Sequence, residues 1–456
     1  MALKAALLSL GCKVNSYETE RIREDMEGCG FEIVDFNEKA DVYIINTCSV
    51  TNIADRKSRQ MLNRARALNP EALVVATGCY VQSAKDNETL SGLADIIVGN
   101  NHKGSIKELV TAALKEKQNS KMLDEIALEK EVEDLSINDY PERSRAFVRI
   151  EDGCNQFCTY CIIPYARGRV RSRGEEEILS EIRNLAEKGF KEIVLTGIHI
   201  SSYGYENYEK IMKEKQASEE GLTVSEFDGT PLLKLVKRID EIEGIERIRL
   251  GSLEPRIITK EFALGLKDVT SFCPHFHLSL QSGCNTVLKR MNRHYSAEEF
   301  LEKCAILREV FDRPAITTDV IVGFPQETEE EFNESVLMVQ KAAFSKMHIF
   351  KYSRRKGTVA DRMPGQLTEK VKHERSIVLQ DIDKKMHNEY AGSFIGQKVK
   401  VLIEEDDGAV LSGLTERYLR VCINKAGLDL NVDNIGINSI VEVKISAIDK
   451  DGNLTC

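Results

Sequence analysis

The sequence predicts an α/β protein in three parts: an N-terminal doubly wound parallel sheet, a central partial (β/α)6 barrel and a small C-terminal antiparallel β-barrel. Two alternations of strand-like and helix-like segments, followed by a run of short strands, predict this order. At 456 residues the chain has room for about three domains of the usual ~150 residues.

KAALLSL, DVYIINT and LVVAT are short aliphatic or β-branched runs. The stretches YETERIREDMEGCG and DRKSRQMLNRARALNP are amphipathic and end in Gly or Pro. This is a βαβαβ pattern, whose crossovers make a parallel sheet. The opening MALKAALLSLGC carries a lysine and a short apolar run. That run is too short for a secretory core, and no small-x-small cleavage site follows. It reads as the first buried strand of a cytoplasmic protein, and no apolar run approaches the ~20 residues that span a bilayer.

Residues 112–140 are charged and weakly periodic, as a linker would be. Domain boundaries are expected at 1–115, 116–139, 140–370 and 371–456. AFVRIEDG, EIVLTGI, RIRLGSL, HFHLSL, AITTDVIVGF and KMHIFKY then recur with helical segments between them, which predicts six βα units. A charged insertion at 203–229 follows the second strand. After a helical stretch to Tyr390, the runs KVKVLIE, RYLRVCI and SIVEVKISAI are separated by Gly, Asn and Asp and predict the small barrel.

The net charge of −10 argues against a surface coated with basic residues for nucleic acid. Basic residues cluster nonetheless. One group is Arg56, Lys57, Arg59, Arg64 and Arg66; a second is the alternating Arg167, Arg169, Arg171 and Arg173; a third is Lys351, Arg354, Arg355 and Lys356.

Twelve cysteines in a reducing compartment point to metal or redox use rather than disulfides. The first three strands end in SLGC, INTC and ATGC, at Cys12, Cys48 and Cys79. Parallel strand ends lie along one edge, where ligands bind, so three distant thiols are expected at one metal site. A second trio, Cys154, Cys158 and Cys161, has C-x3-C-x2-C spacing directly after the first barrel strand. Thiolates select zinc, copper(I) or iron–sulfur clusters. No fourth ligand lies nearby to close a zinc site, and three cysteines in one loop suit a cubane with one iron open to a small molecule. A zinc-stabilised RNA-binding protein is the competing reading. Cys29, Cys273, Cys284, Cys304, Cys422 and Cys456 follow no ligand spacing, and His199 and His348 read as structural.

GCNQFCTYCIIPYARGRVRSR, LGCKVNSYETE, NTCSVT, HLSLQSG, DVIVGFP and FKYSRRKGT together resemble the methylthiotransferase family of radical S-adenosylmethionine enzymes, over nearly the whole chain. The resemblance implies a methylthiotransferase domain, a radical S-adenosylmethionine barrel and a TRAM domain. It implies a [4Fe–4S] cluster on Cys154, Cys158 and Cys161 that binds S-adenosylmethionine. An auxiliary [4Fe–4S] cluster on Cys12, Cys48 and Cys79 would carry the inserted sulfur. Barrel-mouth position marks Gly197, Ser252, Glu254, Gln281, Ser282 and Asp319 as the S-adenosylmethionine contacts.

The motifs look most like the branch that methylthiolates C2 of threonylcarbamoyladenosine beside the tRNA anticodon. The isopentenyladenosine branch and a branch modifying a ribosomal-protein aspartate are the alternatives. The implied partners are the anticodon stem-loop, with Arg167, Arg169, Arg171 and Arg173 on its phosphates, and an electron donor such as a flavodoxin or ferredoxin. One departure is Gln326 in GFPQET, where the family usually has glycine, which puts the turn there in question.

Overall fold

The computed structural model describes residues 2–84, 88–116, 120–123, 125–140, 144–205, 229–425 and 435–456. Most of the insertion expected at 203–229 lies outside the described residues.

The N-terminal sheet is parallel throughout, in the order Glu32–Val34, Lys4–Ser9, Val42–Thr47, Leu73–Gly78, Ile96–Val98, Ser120–Met122. Every residue of Val42–Thr47 is buried, as a strand covered on both faces requires. Ile22, Met26, Ile106 and Val110 pack on one face, and Leu62 and Ala65 on the other, which makes the sheet doubly wound as expected. Its winding reverses between Lys4–Ser9 and Val42–Thr47, so a crevice opens beyond the carboxyl ends of these two strands. Cys12 and Cys48 stand there.

Three short strands of this sheet, Glu32–Val34, Ile96–Val98 and Ser120–Met122, escaped the sequence reading, each too brief to leave a period. One of them, Ser120–Met122, falls in the expected linker. Leu135, Ile137 and Tyr140 farther along that stretch are buried in the barrel core, so the segment is a packed strap.

All six expected barrel strands are present and parallel: Arg145–Arg149, Glu192–Thr196, Arg247–Leu250 resuming as Ser252–Leu253, His275–Leu278, Ala315–Val322 and Lys346–Lys351. The wall splits at Gly251 into sheets of three and four strands. Its first and last strands do not pair among the described residues. The N-terminal domain touches both open edges. Lys13–Gly28 packs on the first strand, and beyond the last strand Arg355 donates to Ser49 Oγ at 2.8 Å and Asp55 Oδ2 at 2.6 Å.

Helix Glu369–Gly392 runs along the last barrel strand, where Asp383 takes Lys346 Nζ and the Met347 N–H, both at 2.6 Å. The C-terminal sheet follows in the order Ile440–Lys444, Lys398–Asp406, Val410–Thr415, Arg420–Asn424, Leu454–Thr455, Ala447–Ile448. It curls around Val401, Leu411, Val421 and Val443 and is antiparallel except for one pair, Arg420–Asn424 with Leu454–Thr455. Two fully buried barrel arginines fasten it. Arg247 donates to the carbonyls of Leu414 and Lys400, both at 2.9 Å, and Arg249 to that of Glu416 at 2.9 Å.

Gln326 adopts φ +65°, the conformation glycine takes without strain. Its N–H bonds the Gly365 carbonyl at 2.8 Å, so the turn forms despite the side chain. Left-handed backbone costs a non-glycine residue ~1–2 kcal/mol, and glycine returns ~0.4–1 kcal/mol through the unfolded chain. Gln326→Gly is therefore expected to stabilise the protein by about 0.5–1 kcal/mol, read as a higher urea midpoint.

Candidate functional site

Local sequence explains how the first trio forms. Gly11 turns with φ +99°, and a Cβ there would meet Cys48 Sγ at 2.5 Å. Gly78 turns with φ +98° against the Thr47 backbone. The glycines of LGC and TGC thus let the chain turn beside INTC. Asn15 ties the ends together, its Nδ2 donating to the carbonyls of Leu10 at 2.7 Å and Thr47 at 3.0 Å. Cys48 and Cys79 are buried, whereas Cys12 is exposed and lines an open cavity.

In the second trio Gly153, with φ +85°, lies against the Arg169 backbone. The loop is pinned by Cys154 N–H to the Gly168 carbonyl at 3.1 Å and Thr159 N–H to the Met291 carbonyl at 3.0 Å. Arg293 donates to Cys158 Sγ at 3.3 Å. Beyond Cys161 the loop becomes the short helix Ile163–Arg167, which packs on Cys79–Ser83 of the N-terminal domain. Asn100 donates across this contact to the Ala166 carbonyl at 2.7 Å.

The two trios therefore meet. Burial pushes the Cys161 thiol up to about 12, with Cys158 and, from the other trio, Cys79 adding to the rise. Burial likewise pushes Cys48 up to about 12, with Cys79 and Cys12 adding. Arg167, six residues past Cys161, reaches over the interface and donates its Nε–H to Cys79 Sγ at 3.3 Å.

Arg167 belongs to a buried ionic network. It pairs with Glu18 at 2.8 Å and Asp152 at 3.2 Å, and its Nη2 donates to Asn15 Oδ1 at 2.7 Å. Glu18 also takes Lys103 at 2.5 Å and Arg149 at 3.1 Å, while Arg171 stands 3.7 Å from Asp152. Burial raises the Glu18 carboxyl, but Arg167 and Lys103 outweigh it and hold the group well below the usual carboxylate range. Four buried cations thus face two buried carboxylates, with a third, Glu133, half-buried nearby.

Among the described residues, the three-fold ligand group with atoms within 4.8 Å of one another is His277, Asp319 and His348. The sulfurs of each cysteine trio stand wider. All twelve cysteines are free thiols.

The structure corrects the reading of the arginine stripe. Arg167, Arg171 and Arg173 are buried, Arg173 being paired with Glu181 at 2.7 Å, and none of the three can reach a phosphate. Arg169 alone of the four is exposed, lying over the Phe157 ring at 4.4 Å.

The candidate S-adenosylmethionine contacts divide in two. Gly197, Ser252 and Asp319 line the cavity that Cys12 enters, of about 660 Å³. A Cβ on Gly197 would meet Glu151 Oε2 at 2.8 Å. Glu254 is instead paired with Arg256 at 2.9 Å, Ser282 lies buried 3.3 Å from Ser335 Oγ, and Gln281 binds the Asp319 carbonyl through its N–H at 2.9 Å.

His199 is half-buried, held neutral by desolvation with its pKa lowered to about 3, and bonded to Ser202 at 2.7 Å. His348, read as structural, lines the cavity together with His277, Lys13 and Tyr418, which the sequence reading did not select. Strand alternation was the available signal for His277 and His348, and adjacency to Cys12 for Lys13.

An open parallel barrel with three thiols at its mouth defines a radical S-adenosylmethionine fold. The Radical SAM superfamily matches residues 148–339, and the uncharacterized protein family UPF0004 matches residues 4–99. The chain is 38% identical over 419 residues to the threonylcarbamoyladenosine tRNA methylthiotransferase MtaB of Aquifex aeolicus (strain VF5), covering 92% of this chain and 96% of that one. It is 38% identical over 446 residues to its Bacillus subtilis (strain 168) namesake, covering 96% and 93%. It is 35% identical over 447 residues to the tRNA-2-methylthio-N(6)-dimethylallyladenosine synthase of Clostridium tetani (strain Massachusetts / E88), covering 96% and 92%. The chain belongs to the methylthiotransferase family of radical S-adenosylmethionine enzymes. The methyltransferase TsrM of Kitasatospora setae shares the fold, with a TM-score of 0.50 at 15% identity over 79% of this chain and 77% of that one.

Glu18 tests the network. Its depressed pKa means that its stabilisation is complete above the ordinary value of 4.5 and is lost as pH falls. Glu18→Gln is expected to cost about 3–5 kcal/mol at neutral pH. The difference from wild type should shrink when urea midpoints are measured below that pH.

Proposed function

We propose that this chain is a tRNA methylthiotransferase that replaces the C2 hydrogen of threonylcarbamoyladenosine, beside the anticodon, with a methylthio group. Cys154, Cys158 and Cys161 hold the [4Fe–4S] cluster that takes S-adenosylmethionine, and Cys12, Cys48 and Cys79 hold the auxiliary cluster. The observation that carries this reading is the meeting of the two thiol trios across one domain interface, with Cys12 opening into the barrel cavity. When bound, these groups supply one-electron chemistry and a sulfur donor, as the hard steps of cofactor enzymes require.

The chain's own residues position and shield. Arg293 on Cys158 and Arg167 on Cys79 fix the sulfurs by charge-assisted hydrogen bonds. Gly197 keeps the strand end free of a side chain beside the buried Glu151, whose Oε2 accepts from the N–H groups of Ile198 and His199 at 3.0 and 2.7 Å.

RNA contact is supported by the surface around the cluster loop. Tyr165, Val50, Ile53 and Val359 are exposed large apolar residues. Arg56, Lys57, Arg169 and Lys356 are exposed among the same segments. The Ala360 N–H donates to the Thr159 carbonyl at 2.8 Å, and the Asn52 N–H to Ser353 Oγ at 3.0 Å, which joins these segments into one face. Unpaired bases stack on aromatic rings and phosphates seek arginine, so a stem-loop fits this face. No helix among the described residues is long and apolar enough to cross a membrane. An electron donor of the flavodoxin or ferredoxin type belongs to the same proposal.

With anaerobically reconstituted enzyme, replacing Cys154, Cys158 or Cys161 by Ala should abolish 5′-deoxyadenosine formation. Cys12→Ala should retain it yet give no methylthiolated tRNA. Persistent 5′-deoxyadenosine in the first set would overturn the assignment. Arg169→Ala should reduce the salt slope of tRNA binding by about 0.7–0.9, one phosphate contact.

A further inference from the structure

We propose that Lys13 and the His277–Asp319–His348 cluster form a subsite for the carboxylate-bearing N6 substituent of the adenosine, and so select it over an adenosine with an apolar substituent. This rests on the substrate reading above and assigns it to residues.

The cavity lining carries Lys13, Lys346, Arg417 and Arg420 against one carboxylate, Asp319. Three of these cations are already occupied. Lys346 is held by Asp383 at 2.6 Å and Arg420 by Glu405, and Arg417 donates to the carbonyls of Arg313 and Asp312 at 2.9 and 2.8 Å. Lys13 is different. Its ammonium lies over the rings of Phe147 and Tyr418, 5.8 and 5.9 Å from their centroids, and forms no ion pair among the described residues. A partly desolvated ammonium lying over two rings at a cavity wall, with no such pair, is relieved when an anion arrives. Because Lys13 follows Cys12, an anion bound there would hold the rest of the ligand beside the auxiliary site.

The other wall is polar by construction. Register pairs Asp319 with His348 and His277 with Thr317 on neighbouring strands, so these side chains project to the same side of the barrel. His277 Nε2 stands 3.4 Å from Asp319 Oδ2, and Thr317 Oγ1 lies 3.0 Å from His277 Nδ1 and orients the ring. Asp319 can accept from urea N–H or hydroxyl groups, and the imidazoles can donate to carbonyl or carboxylate oxygens. A urea-linked hydroxy acid presents all of these groups. A metal ion in the same trio is disfavoured by the fixed cations around it. An apolar substituent would leave Lys13 without an anion and bury the polar cluster against carbon, the situation in which binding sites discriminate most strongly.

The test is affinity of the reconstituted enzyme for three anticodon hairpins, bearing threonylcarbamoyladenosine, dimethylallyladenosine or plain adenosine at the target position. Wild type should prefer the first. Lys13→Gln and His348→Phe should each lose about 10- to 100-fold on that hairpin alone, the worth of a hydrogen bond to a charged group. Iron content and the cluster resonance spectra should be unchanged, which separates recognition from misfolding. Equal losses on all three hairpins, or variants retaining the wild-type preference, would overturn the subsite. A wild type without any preference would overturn the substrate reading itself.

Discussion

Arg167 is a fully buried guanidinium shared between two domains, and the placement of both cysteine trios depends on it. It starts from the loop that carries Cys154, Cys158 and Cys161, and it ends on Glu18, Asn15 and Cys79 of the N-terminal domain. Removing a partner from such a cluster leaves an uncompensated charge away from water, a penalty of about 3–5 kcal/mol. The domains therefore cannot slide past one another cheaply. The distance between the two thiol groups is held by electrostatics as well as by packing.

That network also explains why an acidic chain keeps a stripe of arginines beside its cysteines. The stripe mostly faces inward, where it offsets buried carboxylates and donates to the Cys79 sulfur. The proposed contact with an outside polyanion then falls to Arg169 and to basic residues on neighbouring loops, interleaved with exposed apolar side chains. Salt would weaken that outer set far more than the inner one, because screening acts on exposed charge.

The C-terminal module closes the far side of the barrel by a related device. Arg247 and Arg249 share Glu192, whose carboxyl burial pushes up but Arg249 and its neighbours pull below its usual value. Their remaining donors bind carbonyls of the module. Tyr418 follows, stacked on His275 at 4.9 Å and accepting from Arg145 at 3.0 Å. The cavity is thus bounded by all three parts of the chain, which lets one ligand sense each of them.

Much of this was legible in the sequence. Long aliphatic runs gave the central strands, because a strand buried on both faces has to be apolar along its length. Cysteine at three successive strand ends indicated that three distant thiols come together, because parallel strands end on one edge. The short strands and the packed strap were not legible, since three residues carry no period.

The arginines are the sharpest contrast. Alternate positions suggest one shared face, yet the segment is a helix to Arg167, a left-handed Gly168 and a two-residue strand at Arg171–Ser172, so period-two reasoning did not apply. The sequence by itself determined the long elements and which thiols fall at strand ends and in the loop after the first barrel strand. Only the tertiary structure decided which charges are taken from water and which histidines meet across neighbouring strands, because periodicity names the face of an element but not what packs against it.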